Sequence, residues 1–421
     1  MQNSIHRSKR FGPCISCLGC VFGHSDIKLD HFCRGVKFAG SSLGDREATS
    51  GSSKYHRGAF PPTALDWNAL IPLIGPTAAA VARYDGVLAA IPNPTLLLSP
   101  LASQEAVLSS SIEGTHATMG EVLSLEAGAE ELLLETRRGD IAEVLNYRRA
   151  MNEAQRLLQD LPLSQRVVRA AHRVLMEGVR GGDKAAGEYR RIPVWIGPDR
   201  HDPSKARYLP INAGDLPAGM GEWEKYLHAD VPDKLVQLAV IHAEFESLHP
   251  FLDGNGRVGR MMVPLFLWQQ RLIRAPLFYV SAYFEADRDA YYDGLLSVSR
   301  DRDWTTWCKY FLEALRSQAE ANHVVVMSII DLYAKLKRDA VEWTHSQYAV
   351  QALDWMFGRP IFKSTDFVAN AGIPAATAKR LLAVFKAHGL FSVLVEGRGR
   401  RNAVFALKDL LNVAEGKELF K

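Results

Sequence analysis

Apolar residues recur every three to four positions along most of the chain from about residue 60, which is the spacing of one helix face. The stripe is clearest before residue 249, where Leu238, Ile241 and Phe245 follow one another at this interval. We expect amphipathic helices over residues 140–157, 165–179, 233–248, 258–271 and 304–326. Strand-like runs are few, at residues 193–197 and 391–405. The pattern predicts a mainly α protein with a small α+β module at its C-terminal end.

The composition narrows the class of protein. The chain has 421 residues, 47% of them hydrophobic, which is enough apolar surface for two or three folded domains and excludes a disordered protein. Its net charge of +3 is too small to indicate that the whole chain binds a polyanion. Residues 86–104 are uncharged, but Pro92, Pro94 and Pro100 would break a membrane-spanning helix. We therefore expect no membrane span and no membrane partner. The five cysteines are too few for a disulfide scaffold and favour a reducing, cytoplasmic location.

The first 56 residues differ from the rest, because four of the five cysteines lie there, at Cys14, Cys17, Cys20 and Cys33. We expect residues 1–56 to be a disordered extension that ends in the flexible Gly- and Ser-rich linker of residues 40–54. Two alternatives remain open. The cysteines could ligate zinc or a cluster, although no distal cysteine pair follows, and the basic start with its uncharged run could be an export signal.

A stretch of twelve residues, 249–260, interrupts the helical pattern between two predicted helices. Its sequence is HPFLDGNGRVGR, in which a proline and the glycines break the helical period. A loop that leads into a helix presents unpaired backbone N–H groups and the positive end of the helix dipole. We therefore expect this loop to bind an anion such as phosphate.

The side chains of this loop supply the other groups that phosphoryl transfer needs. His249 can take a proton from an attacking hydroxyl, because the ordinary pKa of histidine lies near neutrality. Asp253 can hold Mg²⁺ through a carboxylate oxygen. Arg257 and Arg260 can neutralise phosphate charge. A plain helix–turn–helix corner would explain a lone glycine cluster, but it does not account for all of these groups together.

The twelve residues resemble the signature of the Fic family, His-Pro-Phe-x-Asp-Gly-Asn-Gly-Arg-x-x-Arg, at every defined position. Enzymes of this family typically transfer AMP from ATP to a hydroxyl group of a protein. The resemblance implies that His249 is the base, that Phe251 anchors the loop and that Asp253 binds Mg²⁺. The residues that it implies around the nucleotide are Phe251, Gly254, Asn255, Gly256, Arg257, Gly259 and Arg260, with Arg260 at the γ-phosphate.

The resemblance extends over about residues 58–320. The sequences EVLNY at 143–147 and HRVLM at 172–176 are similar to the helices that precede the active site. Residues 187–190, 195–197 and 206–210 resemble the β-hairpin flap that aligns the target protein as an added strand. The segment around residues 281–292 resembles the part that closes over adenine. There we expect Tyr292 to contact the base, with Tyr291 as second choice and a core position as the alternative for either.

A second motif, SSSIEG at residues 109–114, precedes the loop in the chain. Ser109 and Glu113 are four residues apart and would share a helix face, and Gly114 would end the helix. The motif resembles the family's inhibitory sequence, [Ser/Thr]-x-x-x-Glu-[Gly/Asn], whose glutamate pairs with the last arginine of the signature. The resemblance implies that Glu113 binds Arg260 and blocks the γ-phosphate position. A further hypothesis is that Glu113 also positions a water that removes AMP.

Residues 345–421 form a more basic segment, with eleven Lys or Arg against six Asp or Glu. A predicted helix, turn and second helix are followed by a hairpin with an Arg-rich tip, so the module resembles a winged helix. It could bind DNA, or it could dock a protein or support a homodimer. We therefore expect four parts: an extension over 1–56, a Fic N-terminal region with the inhibitory helix over 57–135, a catalytic core over 136–325 and the winged-helix-like domain over 326–421.

The sequence thus predicts an autoinhibited, cytoplasmic adenylyltransferase that uses ATP and Mg²⁺ and modifies Ser, Thr or Tyr hydroxyls of proteins, including itself. The target protein, the acceptor residue and the oligomeric state are not readable from the sequence. Two alternatives remain. The chain could be a DNA-binding regulator whose Fic domain senses a nucleotide, or a Fic enzyme that uses another phosphate-linked donor.

Overall fold

The computed structural model describes residues 52–91, 93–178, 185–198, 202–397 and 402–418. The cysteine cluster predicted to be part of a disordered extension, and the Arg-rich tip of the predicted wing at 398–401, lie outside these residues. In the part of the chain described, helices dominate and strands are short, which confirms the mainly α fold class.

The helices that precede the 249–260 loop form the N-terminal region and half of the core. Their bounds are α1 (Trp67–Ala90), α2 (Pro94–Leu97), α3 (Ser99–Ile112), α4 (Met119–Glu126), α5 (Arg138–Leu157), α6 (Gln165–Leu175), α7 (Leu216–Leu227) and α8 (Lys234–Leu248). The helices that follow the loop are α9 (Asn255–Gln269), α10 (Ser281–Ala286), α11 (Arg288–Asp301), α12 (Trp304–Thr344), α13 (Ala349–Gly358), α14 (Ser364–Asn370), α15 (Ala375–Ala387) and α16 (Lys408–Glu415).

Helices α8 and α9 lie at the centre of the fold. Residues 235–245 of α8 and 255–267 of α9 are all buried, so both helices are covered on every side. The loop between them is therefore held at both ends by buried helices. This placement gives the 249–260 loop a rigid support, which a catalytic loop needs.

Helix α12 is longer than we expected. It runs for 41 residues to Thr344, whereas we expected it to end near residue 326. It packs against α1 and α8 and also against α13, α15 and α16. The predicted domain boundary between residues 325 and 326 falls inside this continuous helix, and the division into domains stays a prediction.

The predicted flap is smaller than a regular hairpin. Ile196 forms an isolated antiparallel bridge with Tyr208, and the strand β2 (Tyr208–Leu209) pairs in parallel with β1 (Ser53–Lys54). The backbone N–H groups of Ser53 and Tyr55 donate to the carbonyls of Arg207 and Leu209 at 3.0 and 2.9 Å. Residues 53–56, the last of the predicted extension over 1–56, thus pack on the flap and the core.

The C-terminal module contains a three-stranded antiparallel sheet whose spatial order is β3-β5-β4. In the chain, the helices α14 and α15 lie between β3 and β4. The strands are β3 (Ile361–Lys363), β4 (Ser392–Val395) and β5 (Val404–Ala406). The two predicted helices and the two strands of the hairpin are present, and β3 and α16 are additional elements. The winged-helix class and DNA binding stay predictions.

None of the helices in the described residues is both long and apolar enough to cross a bilayer. The uncharged segment of residues 86–104 instead folds as the end of α1, the short helix α2 and the start of α3. Two of its three prolines, Pro94 and Pro100, lie in the first turns of α2 and α3, where a missing N–H group costs least, and Pro92 lies outside the described residues.

Candidate active site

A cleft of about 850 Å³, its open mouth included, lies where α3, α8, α9 and α11 meet the flap. The residues that line it are Glu113, Ile196, Gly197, Arg207, Tyr208, Glu246, Ser247, His249, Gly256, Arg260, Tyr291, Tyr292, Asp293, Leu295 and Leu296. Of the residues predicted from the sequence, the cleft therefore brings together the base, the inhibitory glutamate, the last arginine, one glycine and both tyrosines.

His249 ends α8 in a left-handed backbone conformation, with φ at +48°. This conformation turns the chain sharply out of the helix and leaves the side chain at the cleft. Burial, together with the nearby charge of Arg190, lowers the pKa of His249 to about 3. The imidazole is therefore neutral at physiological pH, which is the form that can accept a proton.

Phe251 and Asn255 build the loop from behind the cleft. Phe251 is fully buried and stacks on the His172 ring with centroids 3.7 Å apart. The Asn255 side chain accepts from the Phe251 N–H at 2.8 Å and donates to the Phe251 carbonyl at 2.9 Å. Both side chains are buried behind the cleft, so a contact of Phe251 or Asn255 with a nucleotide would have to come from the backbone, and their place at the nucleotide stays a prediction. The packing of Phe251 is compatible with its predicted role as an anchor.

Histidine 172 fixes the same loop through both ring nitrogens. The Gly187 N–H donates to Nδ1 at 2.9 Å, so Nε2 carries the proton and donates to the Asp253 carbonyl at 2.9 Å. Burial lowers the pKa of His172 to about 4, which keeps this neutral tautomer. Sequence reasoning noted the segment around His172 as family-like but gave this residue no role.

The first turn of α9 forms the anion-binding end of the loop. Gly254 is the N-cap with φ at +77°, and no side chain caps the helix. The N–H groups of the first turn therefore have no intrahelical acceptor and can bind a phosphate. Gly254 itself packs against Leu175, Met176 and His172 rather than lining the cleft, so its contribution is the turn.

Asp253 and Arg257 lie beside this turn. The Asp253 carboxylate accepts from the Gly254 N–H at 2.6 Å and from Arg257 at 3.4 Å. Arg257 also donates to Glu143 at 3.2 Å and is almost fully buried. Arg257 is thus held by two carboxylates behind the cleft, and Glu143 is a partner that the sequence did not identify.

Arg260 joins the predicted inhibitory helix to the loop. Its Nε donates to the Ser109 hydroxyl at 3.0 Å, and its Nη2 donates to the Ser109 carbonyl and to the Glu113 carboxylate, both at 2.7 Å. Burial alone would lower the pKa of Arg260, but the Glu113 carboxylate raises it, so the cation is firmly held. Glu113 caps the C-terminal end of α3, and Gly114 follows with φ at +87°. Ser109, Glu113 and Gly114 thus occupy the positions expected of them.

Two glycines of α9 make room for carboxyl groups. A Cβ atom on Gly256 would lie 2.1 Å from the Glu113 Oε1, and one on Gly259 would lie 2.1 Å from the Glu246 Oε1. Burial, reinforced by Glu113, raises the pKa of Glu246 to about 8, although the charge of Arg260 opposes this. Gly259 permits close packing of Glu246, and its predicted place at the nucleotide stays a prediction.

The two tyrosines of α11 differ in exposure. Tyr291 is 1% exposed, its hydroxyl lies 2.9 Å from the His242 Nε2 and its ring stacks on Phe284. Tyr292 is partly exposed and lines the same cleft. Tyr291 is therefore mainly a core residue that forms the floor of the cleft, and Tyr292 offers the more accessible ring.

Among the described residues, Asp253 does not belong to a cluster of side chains that could together hold a metal ion. In the described part of the chain, no group of three or more His, Cys, Asp or Glu side chains is arranged to hold a metal. A single carboxylate beside a phosphate cradle still fits Mg²⁺, which commonly takes one or two protein carboxylates and completes its shell with phosphates and water.

The comparisons with known proteins agree with this geometry. Residues 71–156 match the Fic/DOC family N-terminal region, and residues 162–267 match the Fic/DOC family. The chain is also similar to a Fic family protein from Desulfovibrio desulfuricans G20, with a TM-score of 0.54, 20% identity and coverage of 82% of this chain and 98% of that one. At this identity the likeness shows the fold alone.

Two curated relatives carry an activity in their names. The protein adenylyltransferase Fic of Drosophila grimshawi is 28% identical over 114 residues, which is 26% of this chain and 21% of the relative. The protein of the same name from Drosophila melanogaster is 31% identical over 84 residues, 19% of this chain and 15% of the relative. The chain thus matches only 15–21% of the length of these relatives. Together with the loop, these matches show that the chain contains a Fic domain, preceded by the Fic/DOC N-terminal region, within residues 71–267.

Proposed function

We propose that this protein is an adenylyltransferase, which transfers AMP from ATP to hydroxyl groups of proteins, itself included, and which Glu113 holds inactive. The observation that carries the proposal is the contact between Glu113 and Arg260 at 2.7 Å, in the same cleft as a neutral His249. An inhibited phosphoryl-transfer site would consist of a base, an anion-binding helix end and a cation that is occupied by an internal carboxylate.

The proposed reaction uses the residues of the loop in order. The first turn of α9 and Arg260 bind the phosphates of ATP once Glu113 has moved aside. The acceptor hydroxyl oxygen attacks the α-phosphorus, its proton passes to His249, and the bond to the leaving pyrophosphate breaks. Every atom is accounted for, because AMP is joined to the acceptor oxygen and pyrophosphate is released. Mg²⁺ held by Asp253 would neutralise charge on the phosphates.

The inhibition follows from competition for one cation. Glu113 and a terminal phosphate are both anions that seek the guanidinium of Arg260. While Glu113 occupies it, ATP loses the contact that orients its phosphate chain. The low identity to the named relatives and their short matched segments leave the donor and the acceptor as proposals.

Labelled ATP tests the donor, the base and the inhibition together. Wild type, Glu113→Gly and His249→Ala are incubated with Mg²⁺ and ATP that carries the label on either the α- or the γ-phosphate, and label in protein is followed. We expect label from the α-phosphate alone, weak in wild type, strong in Glu113→Gly and absent in His249→Ala. Glu126→Gly is the matched control, since it removes a surface ion pair with Arg148 outside the cleft and should behave as wild type.

The other outcomes contradict specific parts of the proposal. Label from the γ-phosphate would make the protein a kinase-like enzyme and would refute AMP transfer. Equal labelling of wild type and Glu113→Gly would refute the inhibition. No label in any variant that still binds ATP would refute ATP as the donor.

A further inference from the structure

The C-terminal end of α8 is held by a buried guanidinium. Arg190 is 2% exposed, and its Nε donates to the His249 carbonyl at 2.8 Å. Its Nη2 donates to the Leu248 carbonyl at 3.2 Å and to the Ile211 carbonyl. The backbone N–H of Arg190 donates to the Pro250 carbonyl at 2.9 Å. Three consecutive carbonyls around the base are thus bound by one residue.

The contacts of Arg190 satisfy backbone carbonyls at the end of α8 and restrain an unusual backbone conformation. The last carbonyls of a helix lack intrahelical donors, and a cation near them also interacts favourably with the helix dipole. The left-handed conformation of His249 is unusual for a residue with a side chain and persists only where its surroundings impose it. Arg190 supplies both the missing donors and the restraint.

The cost of burying Arg190 indicates that its position matters. In the described part of the chain, the Arg190 side chain donates to backbone carbonyls alone. Burial lowers the pKa of Arg190 to about 10, so the group remains charged at neutral pH. A buried cation that is satisfied by carbonyls alone gains no ion-pair energy to offset its desolvation.

Arg190 also acts on the charge of the base. After burial itself, its positive charge is the largest cause that keeps the His249 pKa low, and Asp253 opposes it. The remaining charged residues that line the cleft with His249 are Glu113, Arg207, Glu246, Arg260 and Asp293.

We propose that Arg190 is a positioning residue for the reaction: it fixes the backbone on both sides of His249 and thereby places the imidazole at the cleft. The proposal rests on the proposed function in one respect, that His249 is the base. A second consequence is that the charge of Arg190 disfavours protonation of the imidazole. Substitution can separate the effect of Arg190 on the position of His249 from its effect on the protonation of His249. Lysine keeps the positive charge but cannot donate to several carbonyls with the planar fork of arginine.

The experiment uses the full chain with Glu113→Gly as the background and compares Arg190→Lys with Arg190→Met. Three quantities are measured: kcat for AMP transfer at saturating ATP, the Kd for ATP by calorimetry, and the pKa of the His249 ring by NMR titration of protein with labelled histidine. The His249 signal is identified by its loss in His249→Asn. Arg169→Met is the control, since Arg169 donates to the Gly187 carbonyl at 2.8 Å on the same loop without touching His249.

We expect Arg190→Met to lower kcat about 100-fold, the effect of a misplacement near 1 Å, while the Kd for ATP changes less than about threefold. The His249 pKa should rise towards its ordinary value. Arg190→Lys should lower kcat by a smaller factor while the His249 pKa stays low. The control should leave all three quantities at the background values.

The contrary results are distinct. A folded Arg190→Met or Arg190→Lys variant with an unchanged kcat would overturn the proposal, and if the methionine variant does not fold, the lysine variant decides. Parallel losses of kcat, ATP binding and thermal stability would show a structural role only and would also overturn it. If the Glu113→Gly background transfers no AMP, the proposed function fails. The NMR titration still tests Arg190 in that case, because an unchanged His249 pKa in Arg190→Met would contradict the effect of Arg190 on the imidazole.

Discussion

The space beside Gly256 provides a direct test of the inhibited geometry. A Cβ atom at this position would lie 2.1 Å from the Glu113 Oε1 and 2.8 Å from the Arg260 Nη1. The backbone of Gly256 is helical, so alanine causes no strain of its own. In Gly256→Ala the new methyl group must displace the Glu113 carboxylate, because that carboxylate is the free end of a flexible side chain. The substitution thus breaks the contact with Arg260 without changing either partner.

The size of the effect follows from the contact that is lost. A hydrogen bond to a charged group contributes about 1.5–3 kcal/mol to stability. Replacing glycine by alanine in a helix returns about 0.5–1 kcal/mol. We therefore expect Gly256→Ala to destabilise the wild-type protein by about 0.5–2.5 kcal/mol. In Glu113→Gly no carboxylate is displaced and only the 2.8 Å approach to the Arg260 Nη1 remains, so the same substitution should be less unfavourable than in the wild-type protein.

Urea unfolding followed by tryptophan fluorescence measures this difference. The four proteins are wild type, Gly256→Ala, Glu113→Gly and the double variant, and the expected coupling free energy is about 1.5–3 kcal/mol. Gly221→Ala is the matched control, because a Cβ atom there, in helix α7, would contact nothing within 4 Å. It reports the helix gain alone. Additive effects within about 0.5 kcal/mol would refute the placement of Glu113 against Gly256.

Three further substitutions test the buried groups around the cleft. Burial raises the pKa of Glu105 from 4.5 to about 7, so folding favours its protonated form and this contribution to stability is lost as the pH rises through 7. Glu105→Gln should therefore gain stability relative to wild type by up to about 3 kcal/mol between pH 5 and pH 8.5 in chemical unfolding, and an equal difference at both pH values would contradict this. Phe251→Ala should cost about 3–5 kcal/mol in urea unfolding, since it removes a buried ring stacked on His172, and a loss below about 1 kcal/mol would speak against the anchor role. His56→Ala leaves the Glu244 carboxyl buried without its 2.8 Å partner and should also cost about 3–5 kcal/mol; unchanged unfolding would show that residues 53–56 do not pack as described.

The sequence predicted the catalytic loop because its chemistry is compressed into twelve neighbouring residues. The Glu113–Arg260 pair was accessible only through resemblance, since the two residues lie 147 positions apart. No periodic pattern links a helix end to a side chain so distant in the chain. The residues that support the loop, His172 and Arg190, were visible in family-like segments, but their functions depend on packing that a sequence does not display.

Two features of the fold were missed for different reasons. The strand β1 has two residues, too few for any alternation of apolar and polar positions to appear. Helix α12 was cut short although apolar residues continue at helical spacing beyond residue 326, at Ile329, Tyr333, Leu336 and Ala340. The helical pattern was therefore readable in the sequence, whereas the packing of α13, α15 and α16 against the same helix was not.

The contacts along α3 bear on how the proposed inhibition would be released. Near its middle, Glu105 accepts from the Ser281 hydroxyl and N–H at 2.6 and 3.1 Å in a fully buried site. Helix α3 also packs against α13 and α16 of the C-terminal module. Moving the whole helix would break all of these contacts, whereas turning the Glu113 side chain, which is 27% exposed, breaks one hydrogen bond. Because the second path costs far less, we expect ATP to displace the Glu113 carboxylate while α3 and the contact of Arg260 with Ser109 stay in place.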